Sequence, residues 1–174
     1  MLVALVGPPG SGKTTIAEAL IKKLGGRRYS FATALREQVA WALGNGAEER
    51  VSGYMAAMDS HEDKHPYRAL MQAWGSFRRW EKRRYWIDRL LPNLRSDPAF
   101  VDDCRYKDEW LALLDRDALF VRLAPNPHIA VLPDTLARHE SEQDWKEFPV
   151  DLELSFEDGP EHQAERVIAW IEER

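Results

Sequence analysis

Residues 7–14, Gly7-Pro8-Pro9-Gly10-Ser11-Gly12-Lys13-Thr14, restrict the folds open to this chain more than any other stretch. They satisfy G-x-x-x-x-G-K-[ST] at every fixed position. An apolar run, Leu2-Val3-Ala4-Leu5-Val6, comes before them. Ile16, Leu20 and Leu24 follow at helical spacing, with Ala17 and Ile21 beside them. Strand, glycine-rich turn and amphipathic helix is the setting in which this pattern makes an anion nest. Glycine lets consecutive N–H groups curl inward. A helix starting near Lys13 adds the positive end of its dipole. Gly7 then opens the turn, and the backbone of Gly10, Ser11, Gly12, Lys13, Thr14 and Thr15 wraps the phosphates of a nucleoside triphosphate. Lys13 reaches the β- and γ-phosphates, and the Thr14 hydroxyl is a ligand for Mg²⁺. The opposing reading, a glycine-rich turn that binds nothing, requires the match to be accidental in this setting.

The remaining chain reads as one α/β domain. Its 174 residues suffice for a real core, and 44% apolar with 30% charged residues is a globular composition. The net charge of −5 disfavours general attraction to nucleic acid. A lone cysteine, Cys104, excludes an intrachain disulfide and suits a reducing cytoplasm. No apolar run reaches the length of a membrane span, and the strand after Met1 leaves no room for a secretory leader. Strands are predicted at 2–6, 27–31, 99–101, 118–123 and 150–156. Helices are predicted at 13–24, 33–43, 66–74, 77–91 and 107–114, with a last one from Pro160. Gly75-Ser76 is read as a break between the fourth and fifth segments, with Trp80, Ile87, Leu90 and Leu91 inward on the fifth. Strands alternating with helices predict a three-layer α/β/α fold with a mainly parallel five-stranded sheet.

Three further stretches carry chemistry. Ala99-Phe100-Val101 leads into Asp102-Asp103, a strand ending in acid where a phosphate-loop protein holds Mg²⁺. Neighbouring residues face opposite sides, so the two aspartates have different roles. Arg105 lies at the same strand end, where open α/β sheets bind ligands. Arg78, Arg79, Lys82, Arg83 and Arg84 form the densest basic run, with Trp74, Trp80 and Trp86 within or beside it. This run is open to three readings: a nucleic-acid patch, a clamp for substrate phosphates, or a solvated face over core tryptophans. His61-Glu62-Asp63-Lys64-His65 matches the zinc-binding H-E-x-x-H. Pro66 argues against a helix there, because the residue before proline is pushed out of the α region.

Together these stretches resemble the phage-type deoxynucleoside monophosphate kinases of the phosphate-loop kinase superfamily. The likeness rests on residues 7–14, Arg68-Ala69-Leu70-Met71-Gln72-Ala73-Trp74-Gly75, Tyr85-Trp86-Ile87, Asp103-Cys104-Arg105-Tyr106-Lys107-Asp108-Glu109 and His139-Glu140-Ser141-Glu142. The resemblance implies transfer of the γ-phosphoryl of ATP, with Mg²⁺, to a deoxynucleoside monophosphate, giving the diphosphate and ADP. It implies a catalytic set of Lys13, Asp103 and Arg105, with Thr14 and Asp103 toward the metal. Arg36, Arg68, Gln72, Trp74, Arg79 and Arg83 become acceptor-binding candidates. The core would span about 1–31 and 95–174, with an acceptor-binding helical insert at about 32–94. Residues 124–149 contain only Arg138 and Lys146 as basic residues, so any lid there is short or absent. The partners implied are ATP and a nucleoside monophosphate in the cytoplasm, that of the host if the chain is phage-encoded, with no membrane. Whether the chain forms a homodimer is left open. Ser76-Phe77 departs from the small polar and acidic pair the family places after the glycine. Two other functions stay open: a kinase of another small acceptor (sugar acid, shikimate or phosphomevalonate), and an ATPase stimulated by nucleic acid.

Overall fold

The computed structural model describes residues 1–60, 63, 65–128, 143–156 and 159–174. Five strands form one sheet: β1 (Leu2–Val6), β2 (Arg27–Tyr29), β3 (Ala99–Val101), β4 (Leu119–Leu123) and β5 (Leu152–Leu154). Their order is β2-β3-β1-β4-β5, and every pairing is parallel. All strand C-termini therefore lie along one edge, and the turn after β1 opens between the ends of β3 and β4. The α-helices among the described residues are α1 (Lys13–Leu24), α2 (Ala32–Gly44), α3 (Glu48–Asp59), α4 (Arg68–Glu81), α5 (Ile87–Leu90), α6 (Lys107–Leu114) and α7 (Pro160–Glu172). None of them is long and apolar enough to cross a membrane.

The chain divides into two compact units, Met1–Ser30 with Leu94–Arg174, and Phe31–Asn93. The first holds the sheet. On one face Val3, Leu5, Phe100, Val121 and Leu123 pack with Ile16, Ala17 and Leu20 of α1 and Ala164 and Val167 of α7. Alternation along β4 sends Phe120 to the other face, where its ring meets Trp110 of α6 at 5.5 Å. Helices thus cover both faces, as a parallel sheet requires. Phe100 is fully buried on β3 between β2 and β1. Phe100→Ala is expected to lower unfolding free energy by about 3–5 kcal/mol, measured in urea, because no flexible neighbour can refill a mid-sheet cavity.

The second unit is helical. Val39, Ala40 and Met58 are its buried centre, with Leu35, Leu43, Val51, Met71 and Trp74 packed round them. Here the structure corrects the sequence reading. Gly75 does not break the helix: α4 runs unbroken from Arg68 to Glu81. Gly75 is buried on the side of α4 that faces Leu35 of α2, where a Cβ would stand in ordinary contact, 3.5 Å from Leu35 Cδ2. The true break is Lys82, in extended conformation (φ −149°, ψ 107°). Trp80 is consequently not a core residue and is 82% exposed. A short 3₁₀ turn, His65–Tyr67, precedes α4, so the helix starts two residues after Pro66. Between α2 and this turn, α3 (Glu48–Asp59) is a helix that is not among those predicted above. The strand expected over 150–156 shrinks to Leu152–Leu154, at the sheet edge.

Candidate functional site

The turn after β1 has the backbone an anion nest needs. Gly7 adopts φ +148°, and a Cβ there would lie 2.7 Å from the Leu123 carbonyl oxygen on β4. Only glycine allows the two backbones this approach. Gly12 caps α1 in the left-handed region at φ +90°, with open space where a side chain would be, so the requirement there is conformational alone. Lys13 is 7% exposed. Its ammonium donates to the carbonyls of Gly7 at 2.9 Å and Pro8 at 2.6 Å, and to Ser11 Oγ at 3.3 Å. These contacts hold a desolvated charge over the loop.

The two aspartates after β3 bond different partners. Thr14 Oγ1 donates to Asp102 Oδ2 at 2.7 Å. Asp102 is 5% exposed, and Arg28 Nη1 on β2 also donates to Oδ2, at 3.2 Å. Ser30 Oγ donates to Asp103 Oδ2 at 2.6 Å. The register explains the split: Tyr29 stands opposite Val101, and the Asp102 N–H still bonds the Tyr29 carbonyl at 3.2 Å. Asp102 therefore stays on the ladder with β2 and meets Thr14 and Arg28, and Asp103 meets Ser30 just past the end of β2. The sequence reading sets Asp103 toward the metal shell or the acceptor and leaves open which of the two aspartates contacts the ion. The carboxylate set against Thr14 is that of Asp102, and sequence alternation alone could not say which of the pair it would be. Arg28 and Ser30 were not singled out from sequence either, since nothing local marks a strand residue as the partner of an aspartate more than 70 positions away.

Arg105 is half-buried just beyond this pair. Its backbone N–H and that of Tyr106 donate to Glu109 Oε2 at 3.0 and 3.2 Å. Glu109, 2% exposed, thus caps the start of α6 and fixes the chain that carries Arg105. Burial pushes the Cys104 thiol well above its ordinary value, with Glu109 and Asp103 adding to the shift, so it is a packed and unreactive group.

The remaining candidates lie in the helical unit. Arg36 pairs with Asp59 at 2.9 Å. Trp74 Nε1 donates to Gln38 Oε1 at 3.0 Å, and Gln38 Nε2 donates to the Tyr85 hydroxyl at 2.8 Å. Gln38 is the bridge of this network, and its place on α2 gave no sequence signal. The Arg78 guanidinium lies 5.3 Å from the Trp74 ring and 5.2 Å from that of Tyr85. It also bonds Glu81 at 2.8 Å. Gln72 Nε2 is buried and has no hydrogen-bond partner among the described residues, an unmet donor that costs stability unless something accepts from it. Arg68 and Arg79 are half-buried and Arg83 is exposed. The basic run is partly used up internally, with Lys82 and Arg84 both on Asp88, at 2.6 and 3.6 Å. His61, Glu62, Lys64, Arg138 and the His139-Glu140-Ser141-Glu142 stretch lie outside the described residues.

A family model described as an AAA domain matches residues 6–88. No curated protein matches the sequence. Among solved structures, an unliganded sugar kinase from a Janibacter species aligns with a TM-score of 0.50 at 17% identity, over 98% of this chain and 94% of that one. A gluconokinase from Sinorhizobium meliloti gives 0.49 at 15% identity, over 97% and 91%. Shikimate kinase from Aquifex aeolicus gives 0.45 at 12% identity, over 99% and 96%. The five-stranded parallel sheet with its loop after β1 is the α/β phosphate-loop kinase fold.

Proposed function

We propose that the chain is an ATP-dependent kinase of deoxynucleoside monophosphates, transferring the γ-phosphoryl of ATP to give a diphosphate and ADP. The observation that carries the phosphotransfer reading is the 2.7 Å bond from Thr14 to Asp102 beside the Lys13 loop. A hydroxyl and a carboxylate are hard oxygen donors, few in number. They suit Mg²⁺, which keeps several waters and relies on substrate phosphates for the rest of its shell. When bound, the ion would neutralise charge on the β- and γ-phosphates. The chain's own residues supply the other parts. The 7–15 backbone binds the donor phosphates, and the Lys13 ammonium turns from the Gly7 and Pro8 carbonyls to the phosphoryl oxygens. The acceptor phosphate is already an anion, so an oxygen of it attacks the γ-phosphorus without a general base. The bond from that phosphorus to the β–γ bridging oxygen breaks. Arg105, two residues past Asp103 in the same unit, is the guanidinium assigned to charge on the transferring group.

The acceptor reading is supported by the Arg68–Gly75 stretch and by Gln72. An unmet buried amide donor suits a carbonyl or ring nitrogen on a base edge. The test is a coupled ADP-release assay with ATP, Mg²⁺ and each common deoxy- and ribonucleoside monophosphate, with gluconate, shikimate and phosphomevalonate in parallel. Turnover confined to one or more deoxynucleotides is the expected result. Turnover only with a sugar acid, shikimate or phosphomevalonate would replace it with a kinase of another small acceptor. One observation favours an ATPase stimulated by nucleic acid: Phe77 and Trp80 stack at 6.2 Å on the outside of α4, next to the basic run. ATP hydrolysis raised by single-stranded DNA and lost with salt, in the absence of any small acceptor, would select that function.

A further inference from the structure

Asp102 is unusual among the site groups in having a cation already in place. Its carboxylate is almost fully covered, and a covered carboxylate needs a counter-charge. Arg28 provides it at 3.2 Å, on the same Oδ2 that accepts from Thr14. Arg28 sits on β2, the edge strand, and its own side chain is 28% exposed. It is one strand removed from the loop, with β3 between, and it meets the site at Asp102.

We propose that Arg28 is a positioning residue that sets the divalent-cation requirement of the donor site. This rests on the reading of Thr14 and Asp102 as the metal side of that site. The guanidinium holds the Asp102 oxygen where it also accepts from Thr14 before any ion arrives. It also opposes the ion, because a monovalent cation held on the shared carboxylate repels a divalent one entering beside it. Loss of Arg28 therefore has two opposing effects. Losing the positioning loosens one short side chain, which the Thr14 hydroxyl and the surrounding packing still hold. Losing the charge removes a repulsion that a divalent ion feels doubly, at a depth where water screens poorly. The second effect outweighs the first, so the protein without Arg28 binds the ion more tightly and needs less of it.

The experiment measures Mn²⁺ binding to the ADP complex by the electron paramagnetic resonance signal of free Mn²⁺, and the Mg²⁺ midpoint of turnover. Arg28→Gln is expected to tighten Mn²⁺ by about fivefold or more and to lower the Mg²⁺ midpoint in parallel. Arg28→Lys keeps the charge and should stay within about twofold of the parent, a rescue that a purely structural role would not produce in this readout. Asp102→Asn is the control for the underlying reading and should weaken Mn²⁺ by about tenfold or more. If Asp102→Asn weakens Mn²⁺ while Arg28→Gln leaves it unchanged or weaker, the proposal is wrong and the donor site stands. If Asp102→Asn binds Mn²⁺ like the parent, the metal reading falls and the proposal with it. Should Arg28→Gln fail to fold, the double variant with Asp102→Asn leaves neither charge of the pair behind. Tighter Mn²⁺ in that double variant than in Asp102→Asn alone supports the proposal, and equal affinity overturns it.

Discussion

Lys13→Ala is expected to lower kcat by about 10²–10³-fold and to leave the fold intact. The loss follows from what an ammonium does when placed in advance beside developing phosphoryl charge. One such group in a dry site is worth about 3–4 kcal/mol of barrier. The persistence of the fold follows from the same burial. Lys13 is 7% exposed, and two backbone carbonyls and a hydroxyl are among its contacts. Holding a charge there costs desolvation that these contacts only partly offset, so its removal relieves a cost as well as breaking bonds. The melting temperature should therefore move by no more than a few degrees, since about 1 kcal/mol shifts a domain of this size by a few degrees. Ligand binding should separate from turnover, because the loop backbone remains. Lys13→Met fills the space without the charge and should behave as Lys13→Ala does. Turnover within tenfold of the parent in both variants would remove the donor site from residues 7–15 and with it the kinase reading.

The contrast between this loop and the rest of the site shows what a single sequence can carry. The loop is written in contiguous residues, each required by a local constraint, so its spacing alone declares it. Its helix and strand are equally legible, because the apolar periodicities at 2–6 and 16–24 are undisturbed by tertiary demands. The assignment of Asp102 is a different matter. Alternation says that Asp102 and Asp103 diverge, but which of them meets Thr14 depends on where β3 leaves its ladder with β2. That point is fixed by the Asp102 N–H to Tyr29 carbonyl bond, between segments far apart in sequence. The reading of Gly75 fails for a related reason. Glycine costs a helix about 1 kcal/mol, which argues for a break when seen alone. In the structure α4 runs unbroken through Gly75, and the packing of the helical unit outweighs that local cost. Once α4 is continuous to Glu81, Trp80 falls on a different helix from Ile87 and Leu90, and the apolar stripe assumed to join them does not exist. Misplacing one break therefore misassigned a tryptophan as well. Gln38 was invisible because a glutamine on a helix face has no signature until Trp74 and Tyr85 are brought to either side of it.

The neighbouring aspartates give the sharpest test of the site as the structure arranges it. Asp102→Asn preserves shape and lets the amide oxygen still accept from Thr14, so it removes charge with little geometry. The expected effect is a fall of about 10–100-fold in activity at limiting Mg²⁺, as is usual when a group orienting a metal shell is altered. Much of that loss should return at high Mg²⁺, because the fault lies in ion affinity. The variant is expected to fold, since Arg28 is 28% exposed on its own side chain and water can take over part of its solvation. Asp103→Asn should follow another course. Its carboxylate is tied to Ser30 at 2.6 Å and not to Thr14, so the Mg²⁺ midpoint should stay where it is in the parent. The change should appear in the KM of the acceptor instead, by about tenfold or more, the size of one charge-assisted hydrogen bond. Two titrations on each variant, one of Mg²⁺ at saturating acceptor and one of acceptor at saturating Mg²⁺, separate these outcomes. A shifted Mg²⁺ midpoint in Asp103→Asn with none in Asp102→Asn would reverse the assignment. It would mean that the hydroxyl–carboxylate pair at 2.7 Å holds α1 against β3 and that the ion is held on the Ser30 side. Equal shifts in both would mean that the two carboxylates share the ion, an outcome the separate partners of Asp102 and Asp103, Thr14 and Ser30, do not favour.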